Sequence, residues 1–507
     1  MATWNYENAA HLLRRVCFGG TPTDIDAFRA RHADVASAVG ELLSFATSLK
    51  KPPGSQNVDD FDRLKMQRWW LKQMIGTRTF GEAAREKLTL FWHNHLVSGS
   101  SKQPHLKYMS LQNQLLRKNA RGDFKALVRA FNHDPANLYY LDGITNVASD
   151  DGVHVNANEN FGREVLELFT LGVFETGPDG LPDPSKPNYN ENDVHQLARA
   201  VTGWTVVKGT KGLWDVGDWD GGQYDDNGDD IPDPVTIFGV TNSNFRIDDA
   251  VANTPNDVLG LIFSQTDTDG NNQVGMFLAR KFWTWYAYPP PEPGLKAVFA
   301  SLASTFAASN FNVTSLLTAL FSREEFYSDA AKSRTVKNPV DYVVGSMKAL
   351  GYKKSDAKQV GDIGRELGDV LRLMGMTLFD PPNVAGWPGG LTWINSGTLI
   401  TRLDFARALA GASSGPNRLQ LKIVFPSLFP NGAASPSVVL DTILHQLGLD
   451  APPIALTVAQ KNTLLDYLTD GGTITTLNLS SDTTTDARVK VRGVLSLALQ
   501  AAEHQLF

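Results

Sequence analysis

Two histidines on either side of a single asparagine, His93 and His95, have a residue type and spacing that suit metal binding or proton transfer. Side chains two residues apart point roughly 200° away from each other on an α-helix, so both imidazoles reach one metal only where the helix ends. The Ser-Gly-Ser run at 98–100 predicts such an end. Glu86, seven residues before His93, shares its helix face. The alternative is that His93 bonds to a buried carboxylate or carbonyl group and that His95 caps the helix end.

A second candidate cluster is spaced for one face of another predicted helix. Asn160, Glu164 and Glu167 stand at positions i, i+4 and i+7. Two carboxylates one turn apart are a common way for helical bundles to supply metal ligands, and Arg163 would orient a carboxylate or bind an anion. The alternative is structural, because Arg163 and Glu167 are spaced for an ion pair and Asn160 suits the start of a helix.

Both clusters place polar side chains where the helices of a bundle need apolar ones. Burying an unpaired carboxylate is energetically unfavourable. We therefore expect these helices to converge, so that their polar groups pair with one another. The predicted metal ligands are His93, His95, Glu164 and Glu167, and the predicted catalytic residues are Glu164, Glu167, His93 and Arg163. Such a set suits Zn, Mn or Fe, which would activate water. Without a metal, the same groups would form a buried ion network around Arg163 or Arg199.

Further residues are candidates for the wall of a ligand pocket. The Pro/Gly-rich run at 381–390 predicts a rigid loop that either walls a pocket or tightly connects two helices. Trp204 lies in an acidic, Gly-rich stretch, where an aromatic ring either stacks on a sugar or packs in a small core. The candidate pocket residues are Glu86, Asn160, Trp204, Asn383, Trp387 and Asn395.

One acidic stretch resembles a calcium-binding loop. Asp225, Asn227, Asp229 and Asp233 place side-chain oxygens around a glycine. The twelfth position, where an EF-hand has a bidentate glutamate, is Thr236. The sequence therefore leaves two interpretations open, a structural Ca²⁺ site and an acidic turn without metal.

Helical spacing of apolar residues dominates the chain, so we predict a mainly α fold, a large multi-helix, bundle-like domain. Residues 1–202 form the predicted N-terminal helical region, with helices at 80–95, 124–132 and 161–171. Residues 203–250, rich in Gly, Asp and Trp, predict an inserted subdomain of loops and short strands. Residues 251–412 complete the main domain with further helices, and 413–507 are expected to form a C-terminal helical extension that packs on the core.

Composition excludes several classes of protein. The 507 residues include 47 basic and 54 acidic ones without a basic run, so we expect no nucleic-acid binding. An apolar stretch of about 20 residues is missing, so we expect no membrane span. The single cysteine, Cys17, excludes an internal disulfide bond and a multi-cysteine zinc site. No signal peptide is visible at the start, so the compartment is either cytoplasmic or reached by export with a partner.

Several segments together resemble one large bacterial family, known only as domain of unknown function 1800. Two of them are Phe91-Trp-His-Asn-His95 and Pro381-Pro-Asn-Val-Ala-Gly-Trp-Pro-Gly-Gly390. The segments that carry the resemblance lie at 10–19, 85–95, 134–142, 158–172, 193–204, 337–340 and 381–395. They occur in the family's order and cover nearly the whole chain. The resemblance implies a family but not a reaction.

Members of this family often have a gene neighbour from another uncharacterised family, 1501, which resembles alkaline phosphatases and sulfatases and often carries a twin-arginine export signal. The resemblance therefore implies a candidate partner of that kind. Our leading hypothesis is a metal-dependent hydrolase that acts on an extracellular or envelope polymer such as a polysaccharide. The alternative is a non-catalytic helical scaffold that escorts the phosphatase-like or sulfatase-like neighbour.

Overall fold

The computed structural model describes residues 2–46, 62–146, 157–208, 214–219, 233–352, 367–411, 429, 432–479 and 486–507. It is 59% helical and has only small two-stranded sheets, which confirms the mainly α fold. Asp225, Asn227 and Asp229 of the expected calcium loop lie outside the described residues. Within the described ranges we find no helix with the length and hydrophobicity that a membrane crossing requires.

Most helices of the first half of the chain start at polar capping residues, although the helix Lys107–Lys118, which follows Leu106, does not. Asn5, Thr21 and Thr79, for example, each accept a hydrogen bond from a backbone N–H in the first turn of the following helix. The helices are α1 (Tyr6–Cys17), α2 (Pro22–Arg31), α3 (Val35–Leu43), α4 (Arg63–Ile75), α5 (Phe80–His95), α6 (Lys107–Lys118), α7 (Phe124–Asn132), α8 (Pro135–Tyr140), α9 (Glu159–Glu164) and α10 (Glu191–Ala200). Of these, α5 and α7 begin and end at the predicted residues.

Helices also build most of the second half. Residues 367–373 are helical as well. The remaining helices are α11 (Val258–Phe263), α12 (Gln273–Tyr286), α13 (Leu295–Ala308), α14 (Val313–Phe321), α15 (Asp329–Ser333), α16 (Pro339–Ala349), α17 (Ser396–Leu409), α18 (Pro436–Leu447), α19 (Val458–Thr469) and α20 (Asp486–Gln500).

The strands that the structure describes form antiparallel pairs. The pairs are β1 (Phe174–Thr176) with β2 (Pro182–Pro187), β3 (Trp204–Lys208) with β4 (Trp214–Trp219), β5 (Val235–Ile237) with β6 (Val240–Asn242), and β7 (Ala433–Ala434) with β8 (Leu477–Asn478). Four strands, β3 to β6, fall in the stretch for which short strands were expected. The sequence did not predict β2, because its three prolines favour a loop.

Buried apolar side chains form two clusters, and α5 contributes to both. The first cluster takes Phe91 and Trp92 from α5 and packs them with α1, α3, α7 and α12 to α14. The second takes Leu90 and packs it with α4, α16, α17, α18 and α20. Because neighbouring residues of a helix point about 100° apart, one helix can serve two cores. The polar side chains of α5 are therefore mostly buried and need partners inside the protein.

Glu86 is a buried residue of α5 whose partners come from neighbouring helices. Its carboxylate accepts hydrogen bonds from Arg117 of α6 at 2.7 Å, from Trp70 of α4 at 3.0 Å and from Arg85 at 3.1 Å. The next residue, Lys87, forms a buried ion pair with an aspartate of α16. Glu86 thus lies inside an ion-pair network that joins three helices, and not on the wall of a pocket.

Candidate functional site

His93 faces the second core cluster. Its Nε2 accepts a hydrogen bond from the backbone N–H of Phe379 at 3.1 Å, so this nitrogen is already occupied. The ring packs against Trp70 and Trp387, with centroid distances of 5.6 and 5.5 Å. Burial lowers the pKa of His93 to about 3, against the opposing effect of Asp380. His93 is therefore a neutral histidine with a structural hydrogen bond.

His95 points into the first cluster instead. Its Nε2 lies 3.1 Å from the carbonyl oxygen of Phe169, to which it donates, and its ring stacks on Phe91. Its Nδ1 is buried and has no hydrogen-bond partner among the described residues. Burial lowers the pKa of His95 well below its usual range. His95 thus meets the segment that carries Glu164, but through a backbone carbonyl and not through a carboxylate.

The four residues expected to share a metal are not gathered into a ligand set. Among the described residues, no group of three or more His, Cys, Asp or Glu is placed to hold a metal ion. A shared metal required the helix to end or unwind at the two histidines, whereas α5 keeps its helical turns through His95. His93 and His95 consequently face different cores, and the arrangement of these residues with Glu164 and Glu167 does not fit Zn, Mn or Fe.

Glu164 lies where the expected helix at 161–171 changes its type. The α-helical turns of α9 end at Glu164, and a π-helix follows over Val165–Thr170. Such wide turns occur frequently at functional sites. Glu164 is only 7% exposed, and its Oε2 is buried without a hydrogen-bond partner among the described residues. Burial, reinforced by Glu167, raises the pKa of Glu164 to about 7, so near neutral pH it can give or take a proton.

Glu167, a half-buried carboxylate, follows in the π-helix. Its Oε2 accepts a hydrogen bond from the hydroxyl group of Tyr189 at 3.2 Å. Arg163 does not form the i,i+4 ion pair with Glu167 that the spacing allowed. Its guanidinium instead donates two hydrogen bonds to Glu191 of α10, at 2.6 and 3.1 Å. This pairing raises the pKa of Arg163 above its usual range and anchors α9 to α10.

Tyr140 is a titratable group that senses the charge of Glu164, and the sequence had singled out neither Tyr140 nor Asp380. Burial, Asp380 and Glu164 together raise the pKa of the Tyr140 phenol above its usual range. Asp380 accepts a hydrogen bond from the backbone N–H of Ser101 at 3.0 Å. A Cβ added at Gly99 would lie 3.0 Å from the Tyr140 ring and 3.3 Å from Oδ1 of Asp380. Tyr140 therefore lies within electrostatic range of both Asp380 and Glu164.

The loop at 381–390 docks onto the end of α5. The side chain of Asn94 accepts a hydrogen bond from the backbone N–H of Trp387 at 2.7 Å. At Gly386 the backbone has φ 83°, and a Cβ would lie 2.4 Å from the carbonyl oxygen of Asn94, so only glycine fits. Asn383 bonds within its own loop, and Asn395 caps α17. The loop is thus a rigid connection beside His93.

The last two candidate pocket residues lie apart from a ligand cavity. Trp204 is buried and stacks on His133 at a centroid distance of 3.8 Å, which is a packing role. Asn160 is exposed at the start of α9. A cavity of about 660 Å³ does exist, between α2, α16 and the start of α5, but none of the residues predicted for the site lines it.

Comparison with known families shows to which family the chain belongs. The family described as "Protein of unknown function (DUF1800)" matches residues 11–506, nearly its whole length. The chain belongs to this family. Neither a curated protein nor a solved structure matches it. Membership of DUF1800 confirms the resemblance, and the matched range includes all the groups around Glu164.

Of the expected calcium loop of this DUF1800 protein, the structure describes only Asp233. Its Oδ2 lies 3.9 Å from a guanidinium nitrogen of Arg199, so this carboxylate has a cationic partner inside the protein. The calcium site stays a prediction. The candidate functional site of this DUF1800 protein is therefore Glu164 with Glu167, and Tyr140 lies within electrostatic range of it.

Proposed function

We propose that this protein is a hydrolase that acts on an extracellular or envelope polymer such as a polysaccharide, with Glu164 as its general acid. One observation carries the proposal, the buried Oε2 of Glu164 without a hydrogen-bond partner among the described residues. A buried carboxyl oxygen without a partner destabilises a protein, and together with a pKa raised by burial it marks a candidate for a chemical role.

Glu167 supplies the second carboxyl group that hydrolysis of a glycosidic bond requires. In enzymes of this kind one carboxylic acid protonates the oxygen of the leaving group, and a second carboxylate activates water or stabilises the sugar cation. Glu164 fits the first role because it holds its proton near neutral pH. Glu167 fits the second role because it is less buried and is oriented by the hydroxyl group of Tyr189. Water then adds to the carbon from which the leaving group departs.

The experiment compares wild-type protein with Glu164→Gln, which keeps the shape of the side chain and removes the proton. Release of reducing ends from a panel of bacterial envelope and extracellular polysaccharides measures the activity. We expect the rate to fall about 10²- to 10⁴-fold, as for loss of a general acid. Glu324→Gln is the matched control, because Glu324 is exposed. It lies far from Glu164 in sequence, directly before the short helical turn Glu325–Tyr327.

Three results would contradict the proposal. Full activity of the Glu164→Gln variant would remove Glu164 from the reaction. Activity abolished by a chelator and restored by Zn, Mn or Fe would favour the metal-dependent hydrolase instead. A protein without hydrolytic activity that co-purifies with a phosphatase-like or sulfatase-like partner of family 1501 would favour the escort function.

A further inference from the structure

Two adjacent cations of α12, Arg280 and Lys281, lie beside the π-helix that carries Glu167. The backbone N–H of Gly172 donates to the carbonyl oxygen of Leu166 at 3.2 Å, so the chain at Gly172 lies one wide helical turn from Glu167. A Cβ added at Gly172 would lie 3.6 Å from a guanidinium nitrogen of Arg280. The side chain of Arg280 therefore reaches the end of the π-helix.

Gly172 allows α12 to approach this closely. Its backbone has φ 76°, and a Cβ there would lie 2.8 Å from the ring of Phe277, so a larger residue would clash. Phe277 stands one turn before the two cations on α12. Its ring centroid lies 5.6 Å from the guanidinium carbon of Arg280 and 5.7 Å from the ammonium nitrogen of Lys281. The two positive charges are thus neighbours at one end of the π-helix.

The chain supplies neither cation with an anionic partner. In the part that the structure describes, Arg280 and Lys281 form no hydrogen bond and no ion pair. Burial lowers the pKa of Arg280 to about 10, and burial and Arg280 together lower that of Lys281 to about 8, without an opposing carboxylate among the described residues. Both side chains are partly exposed, so a ligand can reach them from solvent. An anion would favour their charged forms.

Two carboxylates line a small cleft together with Arg280, but other groups bind them. Glu175 accepts hydrogen bonds from the backbone N–H and from the hydroxyl group of Thr268, both at 2.8 Å. Asp267 accepts hydrogen bonds from the side-chain amide of Asn271 at 3.0 and 3.2 Å. No ion pair joins Arg280 to either carboxylate. These acids therefore leave the positive charge of Arg280 available to a ligand.

We propose that Arg280 and Lys281 bind acidic groups of the polymer, so that the substrate is an anionic polysaccharide. This inference rests on the proposed hydrolysis and narrows its substrate class. Carboxylate and sulfate groups on a sugar chain accept charge-assisted hydrogen bonds from guanidinium and ammonium groups. A sugar chain that extends from Glu167 past the end of the π-helix would present such groups to the two cations.

Three polymers with one backbone test the charge preference: dextran, carboxymethyl dextran and dextran sulfate. Each is titrated into full-length protein in a calorimeter, at an ionic strength of about 0.15 M that screens long-range attraction. We expect a charged dextran to bind about ten-fold more tightly than dextran, as for one hydrogen bond between charged groups. The comparison of the two charged polymers shows which acidic group the site prefers. Calorimetry needs no turnover, so the result does not depend on Glu164.

The double variant Arg280→Met/Lys281→Met removes both charges and keeps side chains of similar length. We expect it to lose about ten-fold in affinity for the charged dextrans and to keep the wild-type melting temperature. Arg280→Lys, which retains the charge, should keep most of the affinity. Lys118→Met is the matched control, since Lys118 is exposed on α6, and it should bind as wild type does. If the double variant does not fold, Lys281→Gln is tested in the same way.

Equal affinity of wild type for dextran and for both charged dextrans would overturn the proposal, as would equal binding by wild type and the double variant. An equal loss in Lys118→Met would also overturn it, because binding would then not depend on these two cations. Binding of charged dextrans through Arg280 and Lys281, without hydrolysis of any polysaccharide, would support the anionic ligand and contradict the proposed hydrolysis.

Discussion

Two buried glutamates of this protein show how partners decide what a single carboxylate does. Burial by itself would raise the pKa of either residue. Around Glu86, the guanidinium groups of Arg117 and Arg85 outweigh burial and bring its pKa below the ordinary value. In the part of the chain that the structure describes, the Oε2 of Glu164 has no hydrogen-bond donor, and the pKa of Glu164 rises to about 7. Glu86 therefore stabilises the fold, whereas Glu164 reduces stability and keeps a proton available.

Replacing Glu164 by glutamine should raise the stability near pH 8 and change it little near pH 4. The pKa rises from 4.5 to about 7 on folding, so the folded state binds more protons and wild-type stability falls as the pH rises through this window. Glutamine cannot ionise, so the variant avoids the decrease in the free energy of unfolding that ionised Glu164 causes, on the order of 1–3 kcal/mol. Denaturant unfolding at both pH values measures the difference. A variant less stable than wild type at the higher pH would mean that ionised Glu164 has a stabilising partner.

Replacing His93 by alanine should destabilise the protein by about 2–4 kcal/mol, because the change leaves a cavity and an unpaired N–H of Phe379. The metal content of the purified protein should not change. Denaturant unfolding and elemental analysis measure the two effects. His195→Ala is the control, since His195 is partly exposed with Glu159 as its partner, and we expect a change within about 0.5 kcal/mol. Stoichiometric metal that is lost from folded His93→Ala protein would restore the metal-site hypothesis.

Among the elements, the close contact between α9 and α10 positions Glu164. The two helices approach because Gly162 has no side chain. A Cβ there would lie 2.9 Å from the backbone nitrogen of Ala198 and 3.0 Å from the carbonyl oxygen of Val194. Two residues later α9 gives way to the π-helix, whose carbonyl at Phe169 accepts the hydrogen bond of His95. The position of Glu164 is thus determined by backbone contacts on both sides.

The substitution Gly162→Ala should therefore destabilise the protein by about 1–3 kcal/mol, because the backbone of α10 must move. Gly40→Ala is the matched control in the exposed part of α3, where no atom lies within 4 Å of the added Cβ. We expect it to stabilise by roughly 0.5–1 kcal/mol through helix propensity. Thermal unfolding of both variants provides the comparison. Equal effects of the two changes would show that the contact between α9 and α10 is not tight.

The ion pair of Glu86 with Arg117 should couple α5 to α6. Either Glu86→Gln or Arg117→Met alone leaves a buried charge and should cost about 3–5 kcal/mol, while the double variant should recover much of this loss. A double-mutant cycle in denaturant measures the coupling free energy. Because the pKa of Glu86 is lowered on folding, its contribution is present above about pH 4.5 and is lost as the pH falls below that value. Additive effects of the two changes would argue against the coupling.

For the whole molecule, the second core cluster joins segments from both ends of the chain. It contains residues of α4 near the N-terminus and residues of α18 and α20 near the C-terminus, such as Leu444 and Val494. The C-terminal helices also contact one another and α16 or α17. The C-terminal helices therefore contribute buried residues to a common core and do not only pack on its outside.

Truncation after residue 411 should consequently expose a large apolar surface and prevent cooperative folding. We expect the truncated protein to be insoluble, or to lack the cooperative unfolding transition that wild type shows by near-UV circular dichroism. Size-exclusion chromatography and thermal melts test this directly. A soluble, monomeric truncated protein with the wild-type melting temperature would show that the C-terminal helices are dispensable for the core.

The sequence predicted the elements that depend on local spacing and missed those that do not. The helices α5 and α7 carry apolar residues at helical intervals and end at polar or capping residues. Their first and last residues could therefore be predicted from the sequence. The π-helix could not be predicted, because one extra residue in a helical turn leaves the amino-acid composition of the segment unchanged. Tyr140 was missed as a group within electrostatic range of Glu164, although it lies in a segment that carries the family resemblance.

By itself, the amino-acid sequence determined that the chain is mainly helical, that it belongs to DUF1800, and that polar side chains stand where helices need apolar ones. Only the tertiary structure decided which of those side chains are paired. His93 and His95 face two different cores, Glu86 accepts hydrogen bonds from two arginines, and the Oε2 of Glu164 has no hydrogen-bond donor among the described residues. Helix periodicity is a property of neighbouring residues, whereas the partners of a buried charge come from distant segments that packing brings together.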